Sequence, residues 1–147
     1  MDLSDLQDDW VALVDRSYQV GYDVLSPDER TWLNAQSLLQ ALENGGLISF
    51  FYNSGADHLE DTKKALERLG LVEMQQLLDG VCDLFPDGVP GDIDARNDVI
   101  SSWPDDGSVD EVLTALDDRA LAQSDAFADR IVTFVGDSGL ARQRASR

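Results

Sequence analysis

The chain has 147 residues, 43% of them hydrophobic, and 29 carboxylates against 11 Lys and Arg give it a formal net charge of -18. That length fits one domain, and that hydrophobic content belongs to a folded protein, not to an acidic disordered tail. A field of this sign repels nucleic acid and anionic membranes and draws basic protein surfaces inward.

Apolar residues recur at helical spacing almost throughout, without sustained period-two alternation, which predicts an all-α fold. The expected architecture is a single compact domain of about seven or eight helices over residues 1–136, with 137–147 as a disordered C-terminal tail. The first ten residues hold four Asp and no Lys or Arg, the reverse of a secretory or transit peptide, and no apolar run approaches a membrane span. A first helix follows Ser4, with Leu6, Trp10, Leu13, Val14 and Ser17 or Tyr18 on its buried stripe. Ser26-Pro27-Asp28-Glu29 opens the second: Ser as N-cap, Pro at the first helical position, Glu three residues after the cap. It runs toward Asn44 with Leu33, Leu38, Leu39 and Leu42 as core residues, until Gly45-Gly46 interrupts it.

Leu47 to Asn53 is apolar on nearly every side and should be the most deeply buried element. Asp57 can cap a fourth helix that Gly70 terminates, carrying the basic cluster Lys63, Lys64 and Arg68. The fifth spans Val72 to Phe85, with Met74, Leu77, Leu78, Val81, Leu84 and Phe85 on one arc and Glu73, Gln76, Asp79, Gly80 and Asp83 on the other. Cys82, the single cysteine, excludes an internal disulfide and reads as a buried thiol in a reducing, cytoplasmic compartment. A turn-rich stretch around Pro86, Gly88, Pro90 and Gly91 precedes a short helix from Asp92 or Asp94 to Ser101. Ser108-Val109-Asp110-Glu111 reads as a second capping box, and a last helix runs from Ser124 or Asp125 to Gly136.

Catalysis needs a constellation that the inventory does not supply, so no enzyme, metal or cofactor is expected. His58 is the only histidine, and it reads as a surface residue beside Asp57. Asp92 to Asn97 begins like a calcium loop, but Arg96 holds the fifth place, Asn97 the turn glycine's and Trp103 the terminal Glu's. The acids are informative instead. Between Leu71 and Glu111 lie eleven of them and one base, Arg96. Asp79, Asp83, Asp87, Asp92, Asp94, Asp98, Asp105, Asp106, Asp110 and Glu111 are the candidate partner-binding residues, some of them doubling as caps, with Asp117 and Asp118 as weaker candidates. Trp103 is read as a core plug, with an exposed anchor as the alternative.

The run from Ala41 to Ser54, with Asn44-Gly45-Gly46 followed by Phe50-Phe51-Tyr52-Asn53, resembles a bacterial DNA-mimic protein domain family. The likeness continues through Ala65 to Gly70, Leu84-Phe85-Pro86 and Leu116 to Arg119, over roughly residues 27 to 135. The resemblance implies a helical protein, a candidate homodimer, that occupies the DNA-binding surface of a transcriptional regulator. Asn44, Gly45, Gly46, Phe50, Phe51 and Asn53 themselves read as scaffold: glycines for a sharp junction with positive φ, amides for backbone groups, phenylalanines for the core. The partner is then a basic DNA-binding protein; the alternative is a basic nuclease toxin neutralised by an immunity protein, and a second alternative is an enzyme of unknown type. Direct nucleic-acid or membrane binding is not expected.

Overall fold

The computed structural model describes residues 1–141. Among them are eight α-helices, three 3-10 turns and no strand: α1 Gln7–Val20, α2 Pro27–Gly45, α3 Leu47–Tyr52, α4 Leu59–Arg68, α5 Val72–Cys82, α6 Ile93–Ser101, α7 Ser108–Leu121 and α8 Ser124–Ser138. The all-helical, single-domain reading holds.

α2 is the axis of the molecule. Its start is the expected box: the Ser26 hydroxyl accepts from the Glu29 amide at 3.1 Å, and the Glu29 carboxylate accepts from the Ser26 amide at 2.9 Å. Trp32, Ala35, Leu38, Leu39 and Leu42 recur at helical spacing and are buried, and α3, α4 and α8 pack around them. Leu33, expected in the core, is only partly buried, because it turns toward a groove beside α1. Polar groups drawn inside by this packing are satisfied: Trp32 Nε1 donates to Gln36 Oε1 at 2.7 Å, and Asn34 Nδ2 to the Tyr22 hydroxyl at 2.8 Å.

Several helix starts differ from the expectation, two because a nearer carboxylate takes the local bonds and one because the expected capping carboxylate is drawn away. The N-terminal turn Leu3–Leu6 is capped by an Asp2–Asp5 box and not by Ser4, whose hydroxyl donates to Asp2 instead. Asp57 does not cap α4; it turns to Arg96, and His58 occupies the N-cap place without a side-chain bond. The Ser108–Glu111 box does not form. Gly107 adopts a left-handed φ of 84°, which carries Ser108 into the first helical turn, where its amide and hydroxyl both donate to Asp106. α4 does end at Gly70, whose φ of 72° lets the Leu71 amide reach back to the Leu66 carbonyl at 2.9 Å.

Leu6, Trp10 and Leu13 bury as expected, whereas Tyr18 is 82% exposed. In α5 the arc Met74, Leu77, Leu78 and Val81 is core, Leu84 is half-buried beyond the helix end, and Cys82 is half-buried. Gly80, placed on the outward arc, lies under Leu116 of α7, where an added Cβ would stand 3.1 Å from a leucine methyl. Trp103 is half-buried edge-on against Phe85, with ring centroids 5.3 Å apart, as the core reading has it. α8 runs past Gly136 to Ser138, and Ala141 is buried against the core, so packing continues into the stretch expected as tail; residues 142–147 lie outside the described residues.

Burial raises the Cys82 thiol to about 11, and it raises the Tyr22 hydroxyl to about 12 with help from Asp61, whose carboxylate accepts a hydrogen bond from it at 2.6 Å. In both cases the folded protein holds its proton more tightly than the unfolded chain. The stability these two groups contribute is therefore full below about pH 9 and is lost as pH rises toward 11 to 12. Thermal melts across that range should show a declining midpoint, with Cys82→Ala declining less steeply than the parent.

Candidate protein-binding surface

The scaffold motif folds around one conformation. Gly46 has φ 86° and ψ 175°, a region reserved for glycine, and an added Cβ would collide with the Asp117 carboxylate. Asp117 Oδ1 in turn accepts from the Leu47 amide at 2.9 Å, so an acid from α7 caps α3 across the fold. Gly45 lacks the positive φ expected of it; it ends α2, and the Ser49 Cβ lies 3.1 Å from where its own would be. Phe50 and Phe51 are buried edge to face with each other, and Asn53 Nδ2 donates to the Ser49 carbonyl at 2.7 Å. Asn44 is different. It is exposed, and among the described residues its side chain makes no hydrogen bond, so it does not serve the junction.

These geometries separate two substitutions. Gly46→Val should cost about 2–3 kcal/mol through the lost conformation and the displaced Asp117 cap. Asn44→Ala should stay within about 0.5 kcal/mol of the parent. Chemical denaturation of both variants checks the contrast.

Arg96, the only base in the acidic stretch, is fully buried. Its guanidinium uses every donor: Nε to the Phe51 carbonyl at 3.1 Å, Nη1 to the Pro90 and Gly91 carbonyls at 3.2 and 3.1 Å, Nη2 to the Asn53 carbonyl at 3.0 Å and to Asp57 at 2.7 Å. This ties α6 to the end of α3 and to the turn before itself. Sequence reasoning missed this role, because a lone arginine among acids reads as a surface charge. The consequence for the surface follows from the helical wheel. Asp94 and Asp98 stand two residues either side of Arg96, about 200° away in each direction, so burying Arg96 turns both carboxylates to solvent.

All ten candidate acids are exposed. Three carry local duties: Asp79 lies 3.4 Å from Lys63, Asp92 caps α6 through the Ala95 amide at 3.0 Å, and Asp106 holds Ser108. The two bonds from Ser108 keep the Asp106 carboxyl below the usual carboxylate range. The other seven, Asp83, Asp87, Asp94, Asp98, Asp105, Asp110 and Glu111, make no ion pair or side-chain hydrogen bond among the described residues. Their exposure is demanded by packing: α6 leans on α3, α7 leans on α5, α2 and α3, and the acids occupy what those contacts leave over. Asp117, weighed as a further candidate, belongs to the α3 junction, while Asp118 is exposed. Among the described residues, bases elsewhere also pair with acids, Arg16 with Glu29, Arg68 with Asp28 and Arg119 with Glu73.

His58, expected on the surface, is half-buried and stacks on the Tyr22 ring at 3.5 Å and 6°. Among the described residues no group of His, Cys, Asp and Glu could hold a metal ion, and no helix is long and apolar enough to cross a membrane.

The model of one protein family, described as DMP19-like protein, matches residues 23–137. No curated protein and no solved structure gives a significant match. With most of its length matched, the chain belongs to the DMP19-like family, the family of DNA mimic protein 19, which implies a DNA-mimic role in general.

Proposed function

We propose that this protein is an acidic decoy that occupies the DNA-binding surface of a basic cytoplasmic partner, a transcriptional regulator, and blocks its DNA site without catalysis. The observation that carries this reading is the set of seven exposed carboxylates between Asp83 and Glu111 that are unpaired among the described residues, in a stretch whose one base is buried. Acids one helical turn apart, such as Asp94 and Asp98, stand about 5 to 6 Å apart, of the order of phosphate spacing along a strand. Helices hold Asp94, Asp98, Asp110 and Glu111 in place and Asp83 follows directly on α5, so less conformational entropy is lost when a partner binds than for a disordered acidic tail. Two copies related by a two-fold axis would extend the acidic surface to meet a two-fold-symmetric DNA-binding dimer.

The test is a pull-down from the source cell at low salt, eluted by raising salt, followed by a gel shift of each eluted protein on its DNA with and without this chain. The expected result is a DNA-binding protein whose shift this chain abolishes. The chain alone should leave random duplex unshifted, because its field repels phosphate. Saturable retardation of DNA by the chain alone, or eluted proteins whose DNA binding is untouched, would overturn the reading.

A further inference from the structure

We propose a second binding site, separate from the acidic surface: a groove between α1, α2 and the segment after α3 that takes up an extended peptide of uncharged or basic sequence. The groove has a volume of about 570 Å³ and is open to solvent. Along α2 it is lined by Ser37, Gln40 and Asn44, which at spacings of three and four share one helix face. Among the described residues none of these three side chains makes a hydrogen bond, so their donors and acceptors face the groove unspent. Seven helical residues cover about 10 Å, the advance of about three residues of extended chain. A primary amide offers donors and an acceptor in one plane, the complement of a peptide group.

The arrangement of these groups selects the ligand class. Small-molecule sites gather a few polar groups around one point, whereas here they are strung along the groove, as a chain requires. Tyr18, 82% exposed on the α1 rim, supplies an aromatic anchor of the kind enriched at protein interfaces. Phe50 and the Tyr22–His58 stack add rigid rings to the lining. Charge narrows the choice further. Asp57 is the only carboxylate, Lys or Arg in the lining, and it is bound by Arg96 from beneath. The walls are thus close to neutral inside a molecule of net charge -18, which turns away acidic peptides and admits neutral or basic ones.

The full-length protein, isotope-labelled for NMR, is titrated with a pool of end-blocked octapeptides randomised over Gly, Ser, Asn, Leu, Tyr and Arg. The expected result is saturable shifts of the Gln40 and Asn44 side-chain amides and the Tyr18 ring that persist at high salt. Tyr18→Ala, and separately Gln40→Ala with Asn44→Ala, should weaken binding about tenfold with unchanged melts, because all three side chains are exposed. Absence of saturable shifts would overturn the proposal. So would shifts confined to the acids of α6 and α7 that vanish with salt, and so would groove shifts produced by free nucleosides but not by peptides. None of these outcomes touches the decoy reading, whose residues are different ones.

Discussion

Arg96→Ala should lower stability by about 3–5 kcal/mol, the largest single-residue effect expected in this chain. The loss does not come mainly from the ion pair, since Asp57 is partly exposed and can turn to water. It comes from the lost packing of a fully buried side chain and from the carbonyls that lose their shared donor, above all the buried one of Phe51 and with it the part-buried ones of Asn53, Pro90 and Gly91. A domain of this size has a total stability of about 5–15 kcal/mol, so the melting midpoint should fall by about 10 °C or more. Arg96→Lys should recover only part of this, because one ammonium cannot meet acceptors spread over five directions. Calorimetry of both variants tests the assignment. A parental melt for Arg96→Ala would mean that α6 is held without its guanidinium, and the outward setting of Asp94 and Asp98 would need another cause.

The same residue marks where the sequence stops being readable. Helix existence was legible because periodicity is local: Leu38, Leu39 and Leu42 announce a buried stripe whatever packs on it, and Ser26-Pro27-Asp28-Glu29 completes its box within four residues. Partnerships across the fold were not legible. Asp57 had an equally good local use as a cap, and only the approach of α6, some forty residues later, sends it to Arg96. Asp117 looked like one more surface acid until α7 brought it onto the Leu47 amide. Tyr18 and Leu33 were placed inside by spacing alone, yet both line the groove, since a helical stripe predicts which face is apolar and not whether a neighbour covers it. Charge behaves in the opposite way. Exposure of the ten candidate acids could be anticipated one by one from their type, while which of them remain unpaired depended on where Lys63 and Ser108 came to rest.

Neutralising the seven unpaired acids with isosteric amides, Asp83, Asp87, Asp94, Asp98, Asp105 and Asp110 to Asn and Glu111 to Gln, should slow association with the basic partner by about 10- to 1000-fold at low salt. It should also flatten the salt dependence, because fewer charges then act together within a screening length of about 8–10 Å. A control removes the same number elsewhere: Asp15, Glu43, Glu67, Asp118, Asp125, Asp129 and Asp137, all exposed and on α1, α2, α4, α7 and α8. Both variants carry -18 + 7 = -11, so the long-range field changes equally and only position differs. Asp2 and Asp5 make a poorer control, because their carboxylates form the N-terminal capping box and removing them disturbs the fold. The first set removes three first-turn acids, Asp94, Asp110 and Glu111, and the control one, Asp125, so helix-dipole losses fall more on the first set and both variants are melted before their rates are compared. Stopped-flow association with the purified partner then separates the cases. A steep loss in the first variant with a shallow one in the control places recognition on the α5–α7 acids. Equal losses would mean that the partner is drawn by net charge alone, and the seven carboxylates would be no more a site than the rest of the acidic surface.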